Sequence, residues 1–169
     1  MALIANTTQI LITHPSVPAR TVKELIALAK AHPNKLGYVN AGNGSTLHLN
    51  MALFDSMAGI KLTGIVYKGS TPGRIAVAAG ETPLMIDGLM PSLPLVQAGR
   101  VRALGVTSAR RLASLPDIPA IAETVPGYLG EIWYGVFAPA KTPVDIVNRL
   151  NATIVNALKS PEVKARFGA

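Results

Sequence analysis

Apolar positions along this chain fall in two alternating periods, one for strands and one for helices. Thr7 to His14 is an apolar run of strand length, ended by Pro15 and Pro18. Val22, Leu25, Ile26 and Ala29 then recur at helical spacing. The capping box Thr21-Val22-Lys23-Glu24 opens that stripe and Pro33-Asn34 stops it. Leu36 to Asn40 predicts a second strand. Leu47, Met51, Phe54 and Ala58 share one face of a helix over Thr46 to Ala58, and Gly59 is placed to end it. Strands are predicted at Lys61 to Tyr67, Pro83 to Asp87 and Val101 to Thr107. Helices are predicted at Ser70 to Ala79 and Leu89 to Ala98, and a helical turn at Ala120 to Thr124. Ile132 to Ala138 reads as a strand, with Trp133 and Tyr134 expected in the core. Pro143 starts a helix carrying Ile146, Leu150, Ile154 and Leu158, and Ser160-Pro161-Glu162 starts one more.

This alternation predicts a three-layer α/β/α fold with a mainly parallel sheet. In such sheets ligands sit beyond the carboxyl ends of the strands, at helix N-termini. The stretch Asn40-Ala41-Gly42-Asn43-Gly44-Ser45-Thr46-Leu47-His48 is such a place. A strand runs into a glycine-rich turn that opens a helix. The first amides of a helix lack internal partners and lie at the positive end of its dipole, so the turn predicts an anion cradle. No Gly-Lys-Ser/Thr follows, so it is not a nucleotide P-loop, and the third glycine of a dinucleotide fingerprint is out of register.

Composition narrows the chemistry. The 169 residues are 49% hydrophobic and 15% charged, with a mean hydropathy of +0.35. No run of about 18 uncharged apolar residues appears, so no membrane span is predicted. Cysteine is absent, which excludes disulfides, thiolate metal sites and a cysteine nucleophile. Net charge is +7. The basic residues are scattered, and the densest group (Arg100, Arg102, Arg110, Arg111) has no interleaved aromatics, so nucleic acid is not the expected partner. Steering of small anions is the better use of the charge. The N-terminus has no basic region and no clean cleavage site, so it does not read as a signal peptide. The chain is expected to begin inside a domain.

Ser45 and Thr46 are good helix caps whatever else they do. His48 lies in the first helical turn, either as a capping histidine or as a donor facing the turn. Asp87 closes the apolar run Leu84-Met85-Ile86, either capping the next helix or accepting from a ligand. Lys68, in Tyr67-Lys68-Gly69, is a further charge for an acidic ligand. Ser45 and His48 are close in sequence, but the Ser is not in a nucleophile elbow and no orienting acid is evident. No His, Asp or Glu cluster has metal spacing. An α/β hydrolase or transferase using Ser45 and His48 is the competing class, and a stand-alone structural or regulatory module is a third.

The chain resembles the solute-binding proteins of tripartite tricarboxylate transporters, the Bug family of periplasmic receptors. The resemblance lies in His14-Pro15-Ser16-Val17-Pro18 with Thr21 to Leu25, in Asn40 through Leu49, in Tyr67-Lys68-Gly69 and around Asp87. It continues through Ala98 to Leu104 and Thr107-Ser108, Leu115-Pro116-Asp117-Ile118-Pro119, Pro126-Gly127-Tyr128, Trp133-Tyr134-Gly135 and Thr142-Pro143. It ends with Leu150-Asn151 and Pro161-Glu162-Val163. The order and spacing of these pieces make it specific.

The family implies a two-lobed type 2 periplasmic-binding-protein fold that closes on a small di- or tricarboxylate or related acid. It implies no enzymatic activity and no cofactor. The ligand site would use Ala41, Gly42, Asn43, Gly44, Ser45 and Thr46, with His48 and Asp87 nearby. Residues 12–130 would form the second lobe. Residues 1–11 and 131–169 would be hinge, crossover strand and helices belonging to the first lobe. The family's export signal, first lobe and final helices find no counterpart, so the chain is expected to be part of a receptor. It would be periplasmic in the intact family, or cytoplasmic if Met1 is the true start. Expected partners are the carboxylate, the transporter's membrane components and, through exposed return helices, a second copy of the chain.

Overall fold

The computed structural model describes residues 2–167. It divides the chain into two compact units, one of Thr7–Ile132 and one of Met1–Asn6 with Trp133–Ala169. The elements in chain order are β1 (Ala2–Thr7), β2 (Gln9–Thr13), α1 (Val22–Ala31), β3 (Gly37–Asn40), α2 (Thr46–Ala58) and β4 (Thr63–Val66). There follow α3 (Ser70–Ala79), β5 (Leu84–Gly88), α4 (Leu89–Gln97), β6 (Arg102–Val106), a 3-10 turn (Ile121–Glu123), β7 (Ile132–Val136), α5 (Val144–Lys159) and α6 (Pro161–Phe167).

Local chemistry accounts for where the helices start. The Thr21 hydroxyl accepts the Glu24 amide at 3.1 Å and so caps α1. The Glu24 carboxylate reaches past the expected partner and takes the Arg20 amide at 2.6 Å. Ser45 caps α2 by accepting the His48 amide at 3.3 Å, and Gly59 ends that helix in the left-handed region at φ 62°.

The Thr7–Ile132 unit holds a five-stranded sheet in the order β4-β3-β5-β2-β6. β3 pairs in parallel with β4 and with β5, while β2 runs antiparallel to both β5 and β6. Four strands thus share one direction, and β2 alone opposes them. Side chains alternate across the strands, so each face gathers its own core. Leu11, Tyr38, Leu84, Ile86 and Leu104 pack with Leu25 of α1, Met51 and Phe54 of α2, and Tyr128. Ile10, Ile12, Val39 and Met85 pack on the other face with Val77 of α3 and Val101. The layers are therefore α/β/α.

Two expectations change. The strand predicted over Thr7 to His14 is β2, trimmed to Gln9–Thr13, and an unpredicted strand, β1 (Ala2–Thr7), precedes it and pairs with β7 while β2 enters the main sheet. No glycine or proline marks the break, which falls inside the polar stretch Asn6-Thr7-Thr8-Gln9. Trp133 and Tyr134, expected in the core, are 60% and 53% exposed. A two-stranded sheet leaves one face of each strand uncovered, and Trp133 there leans on Phe137 at a 6.0 Å ring separation. Val144, Ile146 and Leu150 of α5 are likewise exposed.

Gly73 sets how closely α3 lies on β3. A Cβ at Gly73 would stand 2.2 Å from Val39 Cγ1, and Val39 is fully buried. Gly73→Ala is expected to lower the thermal midpoint, although alanine is the better helix former by about 1 kcal/mol. An unchanged or raised midpoint by calorimetry would show that the layer can yield.

Asp55 in α2 is strained electrostatically. One carboxylate oxygen accepts the Leu62 amide at 3.1 Å, while Oδ1 is buried without a partner among the described residues. Burial pushes its pKa up to about 6, against the lowering effect of the Leu62 amide. Tyr38's own burial, and secondarily the nearby Asp55 charge, raise the pKa of Tyr38. A carboxyl group with a raised folded pKa holds its proton more tightly in the native state. Its contribution is therefore complete at low pH and is lost as pH climbs from the ordinary value of 3.8 through about 6. Glu123, held at about 2 by its hydrogen bonds with Arg111, acts with the opposite sign between about 2 and its ordinary 4.5, so the Asp55 loss is read between pH 4.5 and about 6. Urea denaturation should show stability falling across this range in the native chain and a flatter profile in Asp55→Asn. Parallel profiles would assign the pH dependence elsewhere.

Candidate anion-binding site

The strand order brings three helix starts to one edge of the sheet. β3 lies between β4 and β5 with all three parallel, so Asn40, Val66 and Gly88 end side by side. The helices that follow, α2, α3 and α4, open at that edge, each with its first amides lacking intrahelical acceptors. Gly69 and Gly88, the caps of α3 and α4, supply no side-chain cap bond. Three positive dipole ends and several free donors therefore face a common region.

The turn after β3 is built by its own hydrogen bonds. Asn40 Oδ1 accepts the Gly42 amide at 2.9 Å, and the Gly42 carbonyl accepts the Ser45 amide at 3.1 Å. The Asn40 carbonyl accepts the Tyr67 amide at 2.8 Å, which ties the neighbouring turn to this one. Gly42 at φ 108° and Gly44 at φ 81° adopt backbone conformations that other residues rarely hold. Asn43, Gly44 and Thr46 are exposed, while Ala41, Gly42, Ser45 and His48 are half-buried. The residues expected at the site from Ala41 to His48 thus lie together at the mouth of α2.

His48 serves the turn as an acceptor. Its Nδ1 takes the Gly44 amide at 3.2 Å, which leaves Nε2 to carry the proton of the neutral ring. The Ser45 oxygen accepts the main-chain amide of His48 and not a ring proton. The ring nitrogen a nucleophilic serine would need is thereby committed to a glycine amide, and the competing hydrolase reading loses its geometry.

Asp87 reaches the same edge from β5, but its carboxylate is engaged within the protein. Oδ2 accepts from Ser92 Oγ at 2.8 Å and forms an ion pair with Arg74 Nε of α3. Asp87 is 1% exposed, and Ser92 is fully buried. Arg74 and Ser92 escaped the sequence reading. Asp87 and Ser92 stand five apart across a strand–helix junction, a weak signal, and Arg74 reaches Asp87 only because α3 crosses the sheet. Gln9, Asn50 and Thr107 also gather at this edge, for Gln9 starts the antiparallel β2 opposite Gly88. Lys68 is exposed in the turn after β4 and has no ion pair among the described residues.

Among the described residues no group of three or more His, Asp or Glu could hold a metal ion, and no helix is long and apolar enough to cross a membrane. Beside the exposed Lys68, the edge carries neutral hydrogen-bond donors and helix dipole ends.

A family model described as "Tripartite tricarboxylate transporter family receptor" matches residues 1–167. The UPF0065 protein in the tcbD-tcbE intergenic region of Pseudomonas sp. (strain P51) is 38% identical over 165 residues, covering 96% of this chain and 49% of that one. R. palustris Rpa4515, solved with adipate, superposes with a TM-score of 0.84 at 40% identity, over 97% of this chain and 55% of that one. MatC (Rpa3494) from Rhodopseudomonas palustris, solved with bound malate, superposes with a TM-score of 0.84 at 28% identity, over 98% and 56%. The chain spans about half the length of these relatives. The fold is that of periplasmic binding proteins, and the family consists of solute-binding receptors and not enzymes. The chain belongs to the tripartite tricarboxylate transporter receptor family.

Proposed function

We propose that the edge formed by Ala41, Gly42, Asn43, Gly44, Ser45 and Thr46 grips one carboxylate of a small dicarboxylate. The observation that carries this is the self-braced turn at the mouth of α2, which presents helix amides, a hydroxyl at Thr46 and the His48 Nε2–H without a competing carboxylate. Two relatives solved with dicarboxylates, adipate and malate, support the ligand class. In the whole receptor this edge would serve periplasmic capture of the acid and its delivery to the membrane components of the transporter. Asp87 takes part through Arg74 and Ser92, by fixing α3 and α4 beside the turn.

Isothermal titration tests the carboxylate reading. Adipate should bind to this chain weakly, short of micromolar affinity, because one edge leaves much of the ligand in water. Adipamide, of like shape but uncharged, should bind at least about tenfold more weakly, since charge-assisted bonds are worth roughly 1.5–3 kcal/mol. Gly44→Val, at φ 81° with open space around its Cβ, should abolish adipate binding while the fold persists. Equal affinity for adipate and adipamide would refute a carboxylate cradle.

Asp87→Asn separates the two roles open to that residue. It leaves the Arg74 guanidinium, 15% exposed, without its counter-charge. Stability should fall by about 3–5 kcal/mol, as when one partner of a buried pair is removed, and Arg74→Met in the same chain should restore most of it. Unchanged stability with lost adipate binding would instead make Asp87 a ligand contact.

A further inference from the structure

We propose that Asn50 couples the anion turn to the two points where the main chain enters and leaves the Thr7–Ile132 unit. This rests on the carboxylate reading above. Asn50 lies one helical turn beyond the mouth of α2. Its Nδ2 donates to Gln9 Oε1 and to the Gly130 carbonyl, the latter at 3.0 Å. Its own carbonyl accepts from the Tyr128 hydroxyl at 3.1 Å.

Those partners are the entrance and the exit. Gln9 is the first residue of β2, two residues after the unit begins, and Gly130 lies two residues before it ends. Thr107 bridges them. Its hydroxyl accepts the Gln9 amide at 2.8 Å and donates to the Gln9 carbonyl at 3.2 Å, and its carbonyl accepts the Gly130 amide at 3.0 Å. Gln9, Thr107, Tyr128 and Gly130 are all buried.

The packing admits little slack. A Cβ at Gly130 would stand 2.8 Å from the Tyr128 hydroxyl and 3.1 Å from Asn50 Cγ, and no positive φ requires the glycine. Loss of the Asn50 amide group would leave Gln9 Oε1 and the Gly130 carbonyl without this donor in a buried place. α2 is a stiff element whose first amides would hold the ligand. A shift or stiffening at its mouth therefore reaches Gln9 and Gly130 through one side chain, by short directional bonds.

Amide hydrogen exchange followed by NMR, with and without adipate, tests this. In the native chain, adipate at about ten times its Kd should shift the amide resonances of Gly42 to Thr46. It should also slow exchange at Gln9 and Gly130 by about tenfold, the factor for an opening that releases ligand. Asn50→Asp keeps the shape and removes both donations. It should still show the turn shifts, while exchange at Gln9 and Gly130 no longer responds to adipate. A purely structural Asn50 would speed exchange equally in both conditions and preserve the adipate response, which overturns the proposal. Gly130→Ala crowds the same node and carries the test if the first variant fails to fold. Shifts at the turn without any response at Gln9 and Gly130 in the native chain would defeat the coupling alone. No shift at the turn would defeat the carboxylate reading and the coupling with it.

Discussion

The pairing of Asp87 with Arg74 and Ser92 is the constraint on which the sheet edge bearing the proposed site rests. Asp87 ends the central strand of the sheet, where a bare carboxylate would be both buried and repulsive to an anion. Arg74 comes from α3 and Ser92 from α4, so satisfying one charge fixes the starts of two helices. Isolated, either charge would be costly at that depth. Paired, they leave the edge locally neutral, and the dipoles of α2, α3 and α4 then dominate what an anion meets. Gly73 supports the same arrangement, because only a residue without a side chain lets α3 approach Val39 closely enough.

Neutral donors suit a receptor. An arginine or lysine committed to the ligand would hold one acid tightly, whereas amides and hydroxyls grip a carboxylate reversibly and tolerate variation in the rest of the molecule. The chain's net charge of +7 is spread over the surface, where it raises the local concentration of small anions without fixing any of them. His48 shows the same economy. Its Nδ1 braces Gly44, and the ring contributes a neutral donor at Nε2.

Much of this was legible in the sequence because local rules decided it. α2 and α3 run from the residues their caps and stripes predicted, and the Asn40-to-His48 turn follows from glycines, a serine cap and a preceding strand. What stayed hidden depends on contacts between distant residues. β1 is not predicted: only the polar stretch Asn6-Thr7-Thr8-Gln9 separates it from β2, and its partner β7 lies more than a hundred residues away in the chain. The partners of Asp87 could not be read, because Arg74 is brought to it by the crossing of α3. Trp133 and Tyr134 have the hydrophobicity of core residues but sit on a strand with a single neighbour, and hydrophobicity alone does not reveal how many neighbours a strand has.

The reversed strand ties these observations together. Because β2 opposes its neighbours, its start lies at the edge where the others end. The chain therefore enters the Thr7–Ile132 unit at the edge of the proposed site, and with Gly130 bonded to Thr107 it leaves there too. Had β2 been parallel, Gln9 would stand at the far end of the sheet, remote from Asn50 and the turn. Its reversal sets the polar ends of β3, β5 and β6 and the start of β2 in one layer: Asn40, Asp87, Thr107 and Gln9. A buried polar layer must be satisfied: Asp87 is met by Arg74 and Ser92, Gln9 by Thr107 and Asn50, and Asn40 by its own turn. The turn proposed to bind and the chain's entrance and exit are thus joined by hydrogen bonds through Asn50, Gln9 and Thr107, which is the physical basis of the proposed coupling.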